Sequence, residues 1–538
     1  MTRGMKAVVT APQPEAVEAG LGVLEDGGNA VDAAVATAFV QTVVDPLMCG
    51  IAGFGSAQVM LPGEAPRMVD FHGKAPLASR ADQWEHLIER QSDDGFGFII
   101  KGHVNECGYG SITTPGTLAA LAHLAERYGT RPLAALMAPA IAQAEEGVLV
   151  RPHMVQYWSE VPAAGRVPHH DLIAKHPATA AIYLKADGTA RGVGERLANP
   201  DMAATLRRIA EVGWRDFYEG EIAGRIVADM AAQGGLLGAE DLAGVAPVEG
   251  APLEGRYRGL RVTTNAPPGG GVMLLLMLNI LEQFDFAAMG HNSPDYIATL
   301  AEAMKIATVE KDTRIGDPRF VDVPVEELLS KDFAAGHAAR IRAGERTHVP
   351  RLGGAAQPAK DTTHLCVVDP AGGIVSMTHS IGMPSGVVSA GLGFMYNGCM
   401  GVFDPRPGRA GSIAPGKSRF TAMCPTILHD AAGPWGAIGS PGGTFITMSV
   451  LQGILNMVDF GMGAAEAVAA PRFCVTSDRI DMTNRILRRT EAALAARGYP
   501  TRRLATSYGF GGVHALKRAG DGWEGGADPG RDGMAAGF

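Results

Sequence analysis

The sequence has few cysteines, no excess of positive charge and no long apolar run. Its six cysteines are scattered over 538 residues, with neither the Cys-x-x-Cys pairs of a zinc site nor the density of a disulfide-stabilised domain, so we expect reduced thiols, mostly in a core. A net charge of -9 and a pI near 5.9 disfavour non-specific attraction to nucleic acid or to an anionic membrane. We therefore expect a small-molecule or peptide substrate, with neither nucleic acid nor membrane as a partner.

Metal-binding, targeting and membrane-spanning patterns are also absent. The histidines show no His-Glu-x-x-His or other ligand spacing, so neither a metal nor another cofactor is expected. The first residues include basic side chains but no apolar segment of a secretory signal, which makes the cytoplasm the expected location. The most apolar run, residues 272–281, is too short to cross a bilayer and predicts a buried helix.

Apolar residues make up 46% of the chain and charged residues 19%, which is enough for a large buried core. Residues 15–41 predict a helical hairpin in which Asn29 caps the second helix. Alanine- and leucine-rich segments predict that the first two thirds are mainly helical, with further helices at residues 117–128, 132–146, 203–212 and 297–314.

The pattern changes after Lys360. Short β-branched or apolar runs at residues 363–368 and 374–378 flank a Pro/Gly-rich turn and predict a β-hairpin. Residues 343–360 are polar, contain glycine and proline, and predict an exposed segment just before Thr362. Strands covered by helices indicate a layered α+β fold, to which we add strands at residues 423–428 and 435–438 and a helix at residues 445–460.

Thr362 and Thr363 open the first of these strands. Threonine is common at strand edges, so the residues alone favour a structural role for both. Motifs along nearly the whole chain change this interpretation, because their order and spacing resemble those of the γ-glutamyltranspeptidase family. The motifs are GGNAVDAAVA (27–36), TPGT (114–117), PPGGG (267–271), Gly316-Asp317-Pro318, TTH (362–364), PT (425–426), GSPGG (439–443) and APRF (470–473).

The resemblance implies an N-terminal nucleophile hydrolase with a four-layer αββα sandwich, made as one chain that cuts itself. The cut would fall between Asp361 and Thr362, giving a large subunit of residues 1–361 and a small subunit of residues 362–538. The two fragments are expected to stay together as a heterodimer, and pairing of two such heterodimers is left open.

The chemistry explains why a threonine must become a chain terminus. Before cleavage the nitrogen of Thr362 is an amide and cannot accept a proton, whereas a free terminal amine has a pKa of roughly 7.7 to 8. The same residue then supplies the nucleophile and the base, and an acyl-enzyme forms next. The resemblance makes Gly442 and Gly443 candidates for the oxyanion hole and Ser380 a candidate to orient Thr362. Without the resemblance, the favoured interpretations are an ordinary Gly/Pro turn for Gly442 and Gly443 and a solvated side chain for Ser380.

Residues 411–418 match the phosphate-binding pattern G-x-x-x-x-G-K-[ST] letter by letter. A phosphate-binding loop needs an apolar strand before it and a helix after it. Here a Pro-rich segment precedes the match and Pro425 interrupts the segment after it, so we reject nucleotide binding. In the family this stretch is a loop near the substrate.

The expected recognition residues for a γ-glutamyl head group are largely missing. His72 stands where the family has a carboxylate-binding arginine, and the nearby Lys74 is not the matching position. Thr421-Ala422 replaces two serines. The family's ammonium-binding Asn, Gln and Asp are replaced by Gly382, Cys399 and Val402. An ammonium buried without acceptors is costly, so glutathione is a poor candidate.

The leading hypothesis is therefore hydrolysis of a small, non-γ-glutamyl amide through an acyl-enzyme on Thr362, as in relatives that are oxamate amidohydrolases or cephalosporin acylases. Such a substrate would carry a carboxylate that His72 or Lys74 meets, with Thr421 and Cys399 also lining the pocket. One alternative is a γ-glutamyltranspeptidase or glutathione hydrolase with an altered head-group pocket. Another is a non-catalytic member of the family that serves as a binding or scaffold protein.

Overall fold

The computed structural model describes residues 4–92, 97–160, 165–350, 362–505 and 509–538. Its strands, in chain order, are β1 (Val8–Ala11), β2 (Phe54–Met60), β3 (Arg67–Phe71), β4 (Ile88–Gln91), β5 (Phe98–Ile100), β6 (Val148–Leu149), β7 (Arg196–Leu197), β8 (Val248–Gly250), β9 (Leu253–Tyr257), β10 (Leu260–Thr264), β11 (Thr363–Val368), β12 (Ile374–Ser380), β13 (Thr426–Asp430), β14 (Gly433–Gly439), β15 (Phe473–Cys474), β16 (Ile480–Thr483), β17 (Thr501–Leu504), β18 (His514–Ala519), β19 (Gly522–Ala527) and β20 (Met534–Gly537).

Its helices are α1 (Pro14–Glu25), α2 (Ala30–Val44), α3 (Thr117–Tyr128), α4 (Leu133–Glu146), α5 (Pro152–Trp158), α6 (His169–Ala174), α7 (Pro177–Tyr183), α8 (Pro200–Val212), α9 (Asp216–Glu219), α10 (Glu221–Ala232), α11 (Ala239–Ala243), α12 (Gly271–Leu281), α13 (Phe286–Met289), α14 (Pro294–Arg314), α15 (Val325–Leu328), α16 (Lys331–Arg342), α17 (Ile446–Val458), α18 (Ala464–Ala469) and α19 (Arg488–Ala496).

Two antiparallel sheets face each other at the centre of the molecule. The first has the strand order β20-β1-β11-β12-β2-β3-β8, and the second has the order β19-β18-β14-β13-β10-β9. Helices α1, α2 and α3 lie on the outer face of the first sheet, with α4 behind α2. Helices α12 and α17 cover the second sheet and are backed by α14 and α16. These four layers confirm the predicted αββα sandwich of the α+β class.

Strand β11 lies between β1 and β12 and is buried along its whole length. Because side chains alternate across a strand, Leu365 and Val367 pack into the core under the helices, whereas Cys366 and Val368 pack against the second sheet. Thr362 therefore stands at the head of a strand that is held from both sides.

Asp369 fixes the turn between β11 and β12. Its Oδ1 accepts hydrogen bonds of 2.9 Å from the amides of Ala371 and Gly373. Its Oδ2 accepts a bond of 2.9 Å from the amide of Ala30, the first residue of α2. As predicted, Asn29 caps the same helix by accepting from the amides two and three residues further on. One carboxylate thus locks the hairpin to the helix beneath it.

The elements predicted from periodicity are present, and their ends differ by a few residues. The first two thirds are mainly helical, as expected, but they also contain ten described strands that the sequence did not reveal, six of which belong to the two central sheets: β1, β2, β3, β8, β9 and β10. These strands are short, and β1 is buried at every residue, so it shows no alternation of apolar and polar side chains.

Several narrower expectations concern the cysteines, the loops and the absence of membrane spans. All six cysteines are buried. Residues 411–418 lie in a loop ahead of β13, outside any strand-loop-helix unit that could bind phosphate. Among the helices of the described ranges, none combines the length and apolarity needed to span a bilayer. The predicted exposed segment is described only as far as Pro350, and Asp361 lies outside the described residues.

Candidate active site

Thr362 lies at the head of β11 and is almost fully buried, with 4% of its surface exposed. Its hydroxyl donates a hydrogen bond of 3.1 Å to Oγ of Ser380, the last residue of the neighbouring strand β12. The φ angle of Thr362 is 135°, a conformation that β-branched residues rarely adopt. Two residues that the sequence singled out are therefore in contact, and the backbone at one of them is strained.

The hydroxyl of Ser380 is held by the loops around it. It accepts a bond of 2.7 Å from the amide of Gly382 and donates one of 3.4 Å to the carbonyl of Met48. With the bond from Thr362, its single donor and its two acceptor positions are all used. Ser380 thus has one orientation available, and so does the threonine hydroxyl bonded to it.

The turn after β14 carries the glycines predicted to bind an oxyanion. The ring of His364, two residues after Thr362, occupies the space that a side chain at Gly439 would need. Gly442 and Gly443 have φ angles of 135° and 56°, which favour glycine. The structure thus brings this turn close to the threonine end of β11.

Two buried histidines beside the threonine are uncharged. Burial, reinforced by the nearby rings of His514 and His379, holds the pKa of His364 well below its usual range. Burial also lowers the pKa of His379 to about 3. His364 contacts the hydroxyl of Thr378 at 2.8 Å on the inter-sheet side. Neither ring is suited to act as a proton acceptor at neutral pH.

A chain of buried polar side chains runs under the other face of β11. Nε2 of Gln41, on α2, donates to the hydroxyl of Thr363 at 2.8 Å, and its Oε1 accepts from Nε2 of His379 at 2.9 Å. Nε2 of Gln41 also lies 3.2 Å from Oε1 of Gln13. The two strands at the site are therefore held in register by one amide from the helix layer.

The same chain continues to the protein surface. Nε2 of Gln13 donates to Asp45 at 2.7 Å, and Asp45 lies 3.3 Å from Nε2 of His153. Nδ1 of His153 lies 2.7 Å from Asp532, near the C-terminus. Burial opposes the charge on His153, but its hydrogen bonds to both carboxylates outweigh burial and raise its pKa. No local sequence pattern reveals this network, because its members are far apart along the chain.

His72 is buried and is bound to Asp70. Its Nδ1 contacts the Asp70 carboxylate, and its Nε2 is buried with no hydrogen-bond partner among the described residues. Because a carboxylate only accepts hydrogen bonds, a proton stands on Nδ1 of His72. A single imidazole held in this way does not reproduce the two-donor fork of the family's arginine. Its ring centroid lies 6.2 Å from that of Phe54.

The residues at the family's ammonium-binding positions also surround the site. Gly382 has a φ angle of 65°, and a side chain there would overlap Sγ of Cys399, which is fully buried. Val402 lines a neighbouring cleft together with Phe420. Gly382 and Cys399 are thus packed against each other. Glycine has no side chain and a thiol is a weak acceptor, so neither residue offers a strong acceptor for an ammonium group.

Thr421 is buried in the loop that the PPGGG stretch supports. Its amide donates to the carbonyl of Pro268 at 2.9 Å, and its hydroxyl accepts from the amide of Met423 at 3.3 Å. The carbonyl of Met423 in turn accepts a bond of 2.8 Å from the amide of Gly270. Residues 268–270 and 421–423, which are distant in sequence, are therefore joined by backbone hydrogen bonds.

Lys74 belongs to a cluster of charges at the edge of the site. Burial and the nearby Arg319 lower the pKa of Lys74, and Asp70 and Asp317 oppose that shift. Asp317 is occupied by Arg319 and by the amide of Ser418, at 2.8 Å. This cluster and the backbone bonds of Ala75 hold the loop of residues 411–418 against residues that precede Thr362. Within the described ranges, no group of three His, Cys, Asp or Glu side chains is placed to hold a metal ion.

Arg419 was not among the candidates predicted from the sequence. This residue is 4% exposed, and its guanidinium carbon lies 4.5 Å from the centroid of the Phe54 ring. Nη1 donates to the carbonyl of Phe420 at 2.8 Å, and Nη2 lies 3.7 Å from Sγ of Cys399. Arg419 directly follows residues 411–418, which match the phosphate-binding pattern that we rejected and which lie near the substrate in the family. This position is the sequence feature that could have identified it.

Comparison of this sequence with known proteins shows which family and which relatives it resembles. The family model for gamma-glutamyltranspeptidase matches residues 16–538. An acylase ACY 1 proenzyme from Pseudomonas sp. strain V22 is 37% identical over 503 residues, covering 92% of this chain and 87% of the relative. A glutathione hydrolase proenzyme from Escherichia coli K12 is 32% identical over 491 residues, covering 88% of this chain and 81% of the relative.

A solved structure shows the same overall arrangement. The cephalosporin acylase from Bacillus halodurans superposes with a TM-score of 0.88 at 30% identity, covering 100% of this chain and 96% of the acylase. Sequence and structure therefore agree along the whole molecule, and the chain belongs to the gamma-glutamyltranspeptidase family of N-terminal nucleophile hydrolases.

Proposed function

We propose that this protein is a self-processing amidohydrolase that attacks a small amide, other than a γ-glutamyl amide, with the hydroxyl of Thr362. The observation that carries the proposal is the contact of that hydroxyl with Ser380 at the head of a buried strand, beside Gly382 and Cys399, which stand where the family has ammonium acceptors. Relatives named as proenzymes, an acylase and a glutathione hydrolase among them, support self-processing and amide chemistry.

Self-cleavage begins with attack of the Thr362 hydroxyl on the carbonyl carbon of Asp361. The new C–O bond forms as the C–N bond breaks, and the threonine nitrogen takes the proton. Water then hydrolyses the ester, leaving a carboxylate on Asp361 and a free amine and hydroxyl on Thr362. The positive φ of Thr362 raises the energy of the uncleaved chain and favours this step.

Turnover uses the same atoms. The terminal amine of Thr362 accepts the proton of its own hydroxyl as the oxygen attacks the substrate carbonyl, and the amides of Gly442 and Gly443 stabilise the oxyanion. The amine leaving group departs with that proton. Water then attacks the ester, and the acid is released as the hydroxyl regains its proton. The substrate enters as an amide and leaves as an acid and an amine.

Substrate selection depends on the side chains that replace the usual acceptors. Gly382, Cys399 and Val402 offer a free ammonium group no carboxylate or amide oxygen, so an acyl group that lacks an amino group is favoured. The 37% identity to the acylase ACY 1 proenzyme, compared with 32% to the Escherichia coli glutathione hydrolase proenzyme, supports an acylase over a transpeptidase. A glutathione hydrolase with a rebuilt pocket is the alternative, supported by the identity to that class of relative.

Cleavage is tested first. On a denaturing gel the purified 56.1 kDa chain should divide into two bands, with Thr362 as the new N-terminal residue by Edman sequencing. Thr362→Ala should stay intact and inactive, whereas Thr362→Ser, which keeps the hydroxyl, should still cleave. An uncleaved but folded wild-type chain would favour a non-catalytic binding or scaffold protein.

Substrate class is tested with para-nitroanilides of the γ-glutamyl and glutaryl groups, which differ only in one amino group. The proposal expects faster release from the glutaryl compound, and no gain in rate when an acceptor dipeptide is added. Faster release from the γ-glutamyl compound, with transfer to the dipeptide, would establish the transpeptidase alternative.

A further inference from the structure

Gln41, on α2, holds the two residues that stand next to the candidate nucleophile and its hydroxyl partner. Its Nε2 donates to the hydroxyl of Thr363 at 2.8 Å, and its Oε1 accepts from Nε2 of His379 at 2.9 Å. Thr363 and His379 pair with each other across the β11–β12 ladder. Thr363 directly follows Thr362, and His379 directly precedes Ser380. One fully buried amide therefore clamps the strand pair a single residue away from the hydrogen bond between the two hydroxyls.

The direction of this hydrogen-bonded chain is set by Asp45. A carboxylate only accepts hydrogen bonds, so the atom of Gln13 that lies 2.7 Å from Asp45 is the amide nitrogen. The other end of the Gln13 amide is then an oxygen, which accepts from Nε2 of Gln41 at 3.2 Å. Because that nitrogen also faces Thr363, the oxygen of Gln41 faces His379, which has to donate. The orientation of every member of the chain therefore follows from one remote negative charge.

Gln13 is held in a strained backbone conformation. Its φ angle is 62°, in the left-handed region that residues other than glycine rarely adopt, and it lies directly before α1. Its side chain is buried and is hydrogen-bonded at both ends. Strain of this kind persists only where the surrounding contacts determine the conformation, and it is often found at functional sites. The contacts of the Gln13 side chain therefore outweigh the strain and keep this residue in place.

Gln41 and the reacting groups lie on opposite faces of the strand pair. Successive side chains of a strand point to opposite faces, so His379 points toward α2, whereas Ser380 points to the other face, where it meets Thr362. Gln41 can therefore act on the nucleophile only by fixing the two strands. A change in their spacing alters the 3.1 Å contact between the two hydroxyls. A misplacement of about 1 Å in a reacting group costs about 100-fold in rate.

We propose that Gln41 is a positioning residue for the hydroxyl of Thr362, and that Asp45 orients it through Gln13. This inference rests on the proposed function and adds to it three side chains that precede the cleavage site. They act on the attacking oxygen in the precursor, where it attacks the carbonyl of Asp361, and again in the cleaved enzyme, where it attacks the substrate. Loss of the chain slows both steps and leaves substrate affinity unchanged.

The direct test is Gln41→Met, which keeps the length of the side chain and removes its hydrogen bonds. Conversion of the precursor band after cell-free synthesis measures self-cleavage. Turnover is measured with whichever of the glutaryl and γ-glutamyl para-nitroanilides the wild-type enzyme hydrolyses faster. We expect the cleavage rate and kcat both to fall by about 10-fold or more, with KM within about twofold of the wild-type value.

Gln452 provides a matched control, because it is a buried glutamine on α17 with a similar set of partners. It donates to the carbonyls of Met448 and Phe473 and accepts from the amide of Phe473. Gln452→Met should lower the Tm by an amount similar to that for Gln41→Met, but the cleavage rate and kcat should stay within about twofold of wild type. Equal losses of kcat in the two variants would show that Gln41 only stabilises the fold, and would overturn the inference.

The role of Asp45 is tested by reversing the chain. Gln41→Glu turns oxygen atoms toward both Thr363 and Gln13, and Gln13 cannot turn round because Asp45 needs its nitrogen. This variant should be at least as slow as Gln41→Met. Adding Asp45→Asn supplies a donor at the far end, so Gln13 can turn its nitrogen to the new carboxylate, and His153 in its neutral form accepts the second N–H. The double variant should recover about 10-fold of the cleavage rate. A double variant no faster than Gln41→Glu would contradict the role of Asp45.

The outcomes separate the two claims. A wild-type chain that neither cleaves itself nor hydrolyses either anilide contradicts the proposed function itself. An active wild-type enzyme whose Gln41→Met variant cleaves and turns over at the wild-type rate contradicts only the inference. If Gln41→Glu does not fold by thermal melting, the comparison of Gln41→Met with Gln452→Met still decides the role of Gln41.

Discussion

The hydroxyl of Ser380 is the most constrained group beside Thr362, since it accepts from that threonine and from an amide and donates to the carbonyl of Met48. We expect Ser380→Ala to slow both self-cleavage and kcat by about 10-fold or more, with little change in KM, because in the proposed mechanism Ser380 orients the attacking hydroxyl of Thr362. Ser380→Thr, which keeps a hydroxyl, should recover most of the rate. The conversion of the precursor band with time measures cleavage, and unchanged cleavage in Ser380→Ala would remove the positioning role.

Gly442 provides a second prediction at the scale of a single residue. A Cβ there would lie 2.6 Å from Cα of Gly511, and its φ of 135° disfavours any side chain. Gly442→Ala should therefore displace the turn and reduce kcat more than KM. Gly461→Ala is the matched control, because Gly461 has a positive φ of 65° with no atom within 4 Å of the added carbon. The Gly461→Ala variant should lose about 1 kcal/mol in its free energy of unfolding and keep its kcat. Equal losses of kcat in both variants would show that backbone strain alone is responsible.

At the scale of elements, the end of α2, the start of α5 and the C-terminal tail meet at His153. The ring stands between Asp45 and Asp532, and the raised pKa of His153 accompanies lowered pKa values of both carboxylates. This cluster is the outer end of the polar chain that reaches Thr363 through Gln13 and Gln41. Its charge state therefore bears on how firmly the helix layer holds the nucleophile strand.

The linkage predicts how stability depends on pH. A folded-state pKa above the ordinary 6.5 means that protonated His153 stabilises the fold fully below pH 6.5, and that this contribution is lost as pH rises through the raised value. His153→Gln should lower the free energy of unfolding by about 2 kcal/mol near pH 6, with a smaller difference from wild type near pH 9. Urea titrations at both pH values measure this, with His170→Gln, whose side chain is 42% exposed, as control. A difference that is constant with pH would contradict a charged His153.

Elements with strong local signals were predictable from the sequence. Helix α3 has a long apolar stripe and begins and ends at the predicted residues, and the β11–β12 hairpin has an Asp-Pro-Ala-Gly-Gly turn between two β-branched runs. Strand β1 has only four residues, all of them buried, and its pairing with β11 and β20 joins segments hundreds of residues apart. Local periodicity carries no information about such pairing.

At the scale of the whole molecule, the two predicted subunits are interleaved. In the first sheet, β20, β11 and β12 come from residues after Thr362, whereas β1, β2, β3 and β8 come from residues before it. Strand β1 lies between β20 and β11, with small-subunit strands on both sides. In the second sheet the junction lies between β13 and β10. Separation of the fragments would break strand ladders in both sheets.

The interleaving predicts that the fragments do not separate under native conditions. After cleavage, both bands should elute together in size-exclusion chromatography, and they should part only in the urea range in which circular dichroism reports unfolding. The uncleaved Thr362→Ala chain is the control for elution volume. Fragments that separate before unfolding would contradict this interleaved sheet order.

The amino-acid sequence was sufficient to predict the fold class and the family, because these depend on local periodicity and on motifs whose order survives along the chain. The roles of Thr362, Ser380, Gly442 and Gly443 stay predictions from that resemblance. The surroundings of the threonine became clear only from the three-dimensional arrangement. Phe54, Asp317 and Arg419 are far apart in sequence, and only the pairing of β2 with β12 and of residues 74–75 with the 411–418 loop brings them together. Contacts of this kind leave no local sequence pattern, because they depend on positions in space and not on positions along the chain.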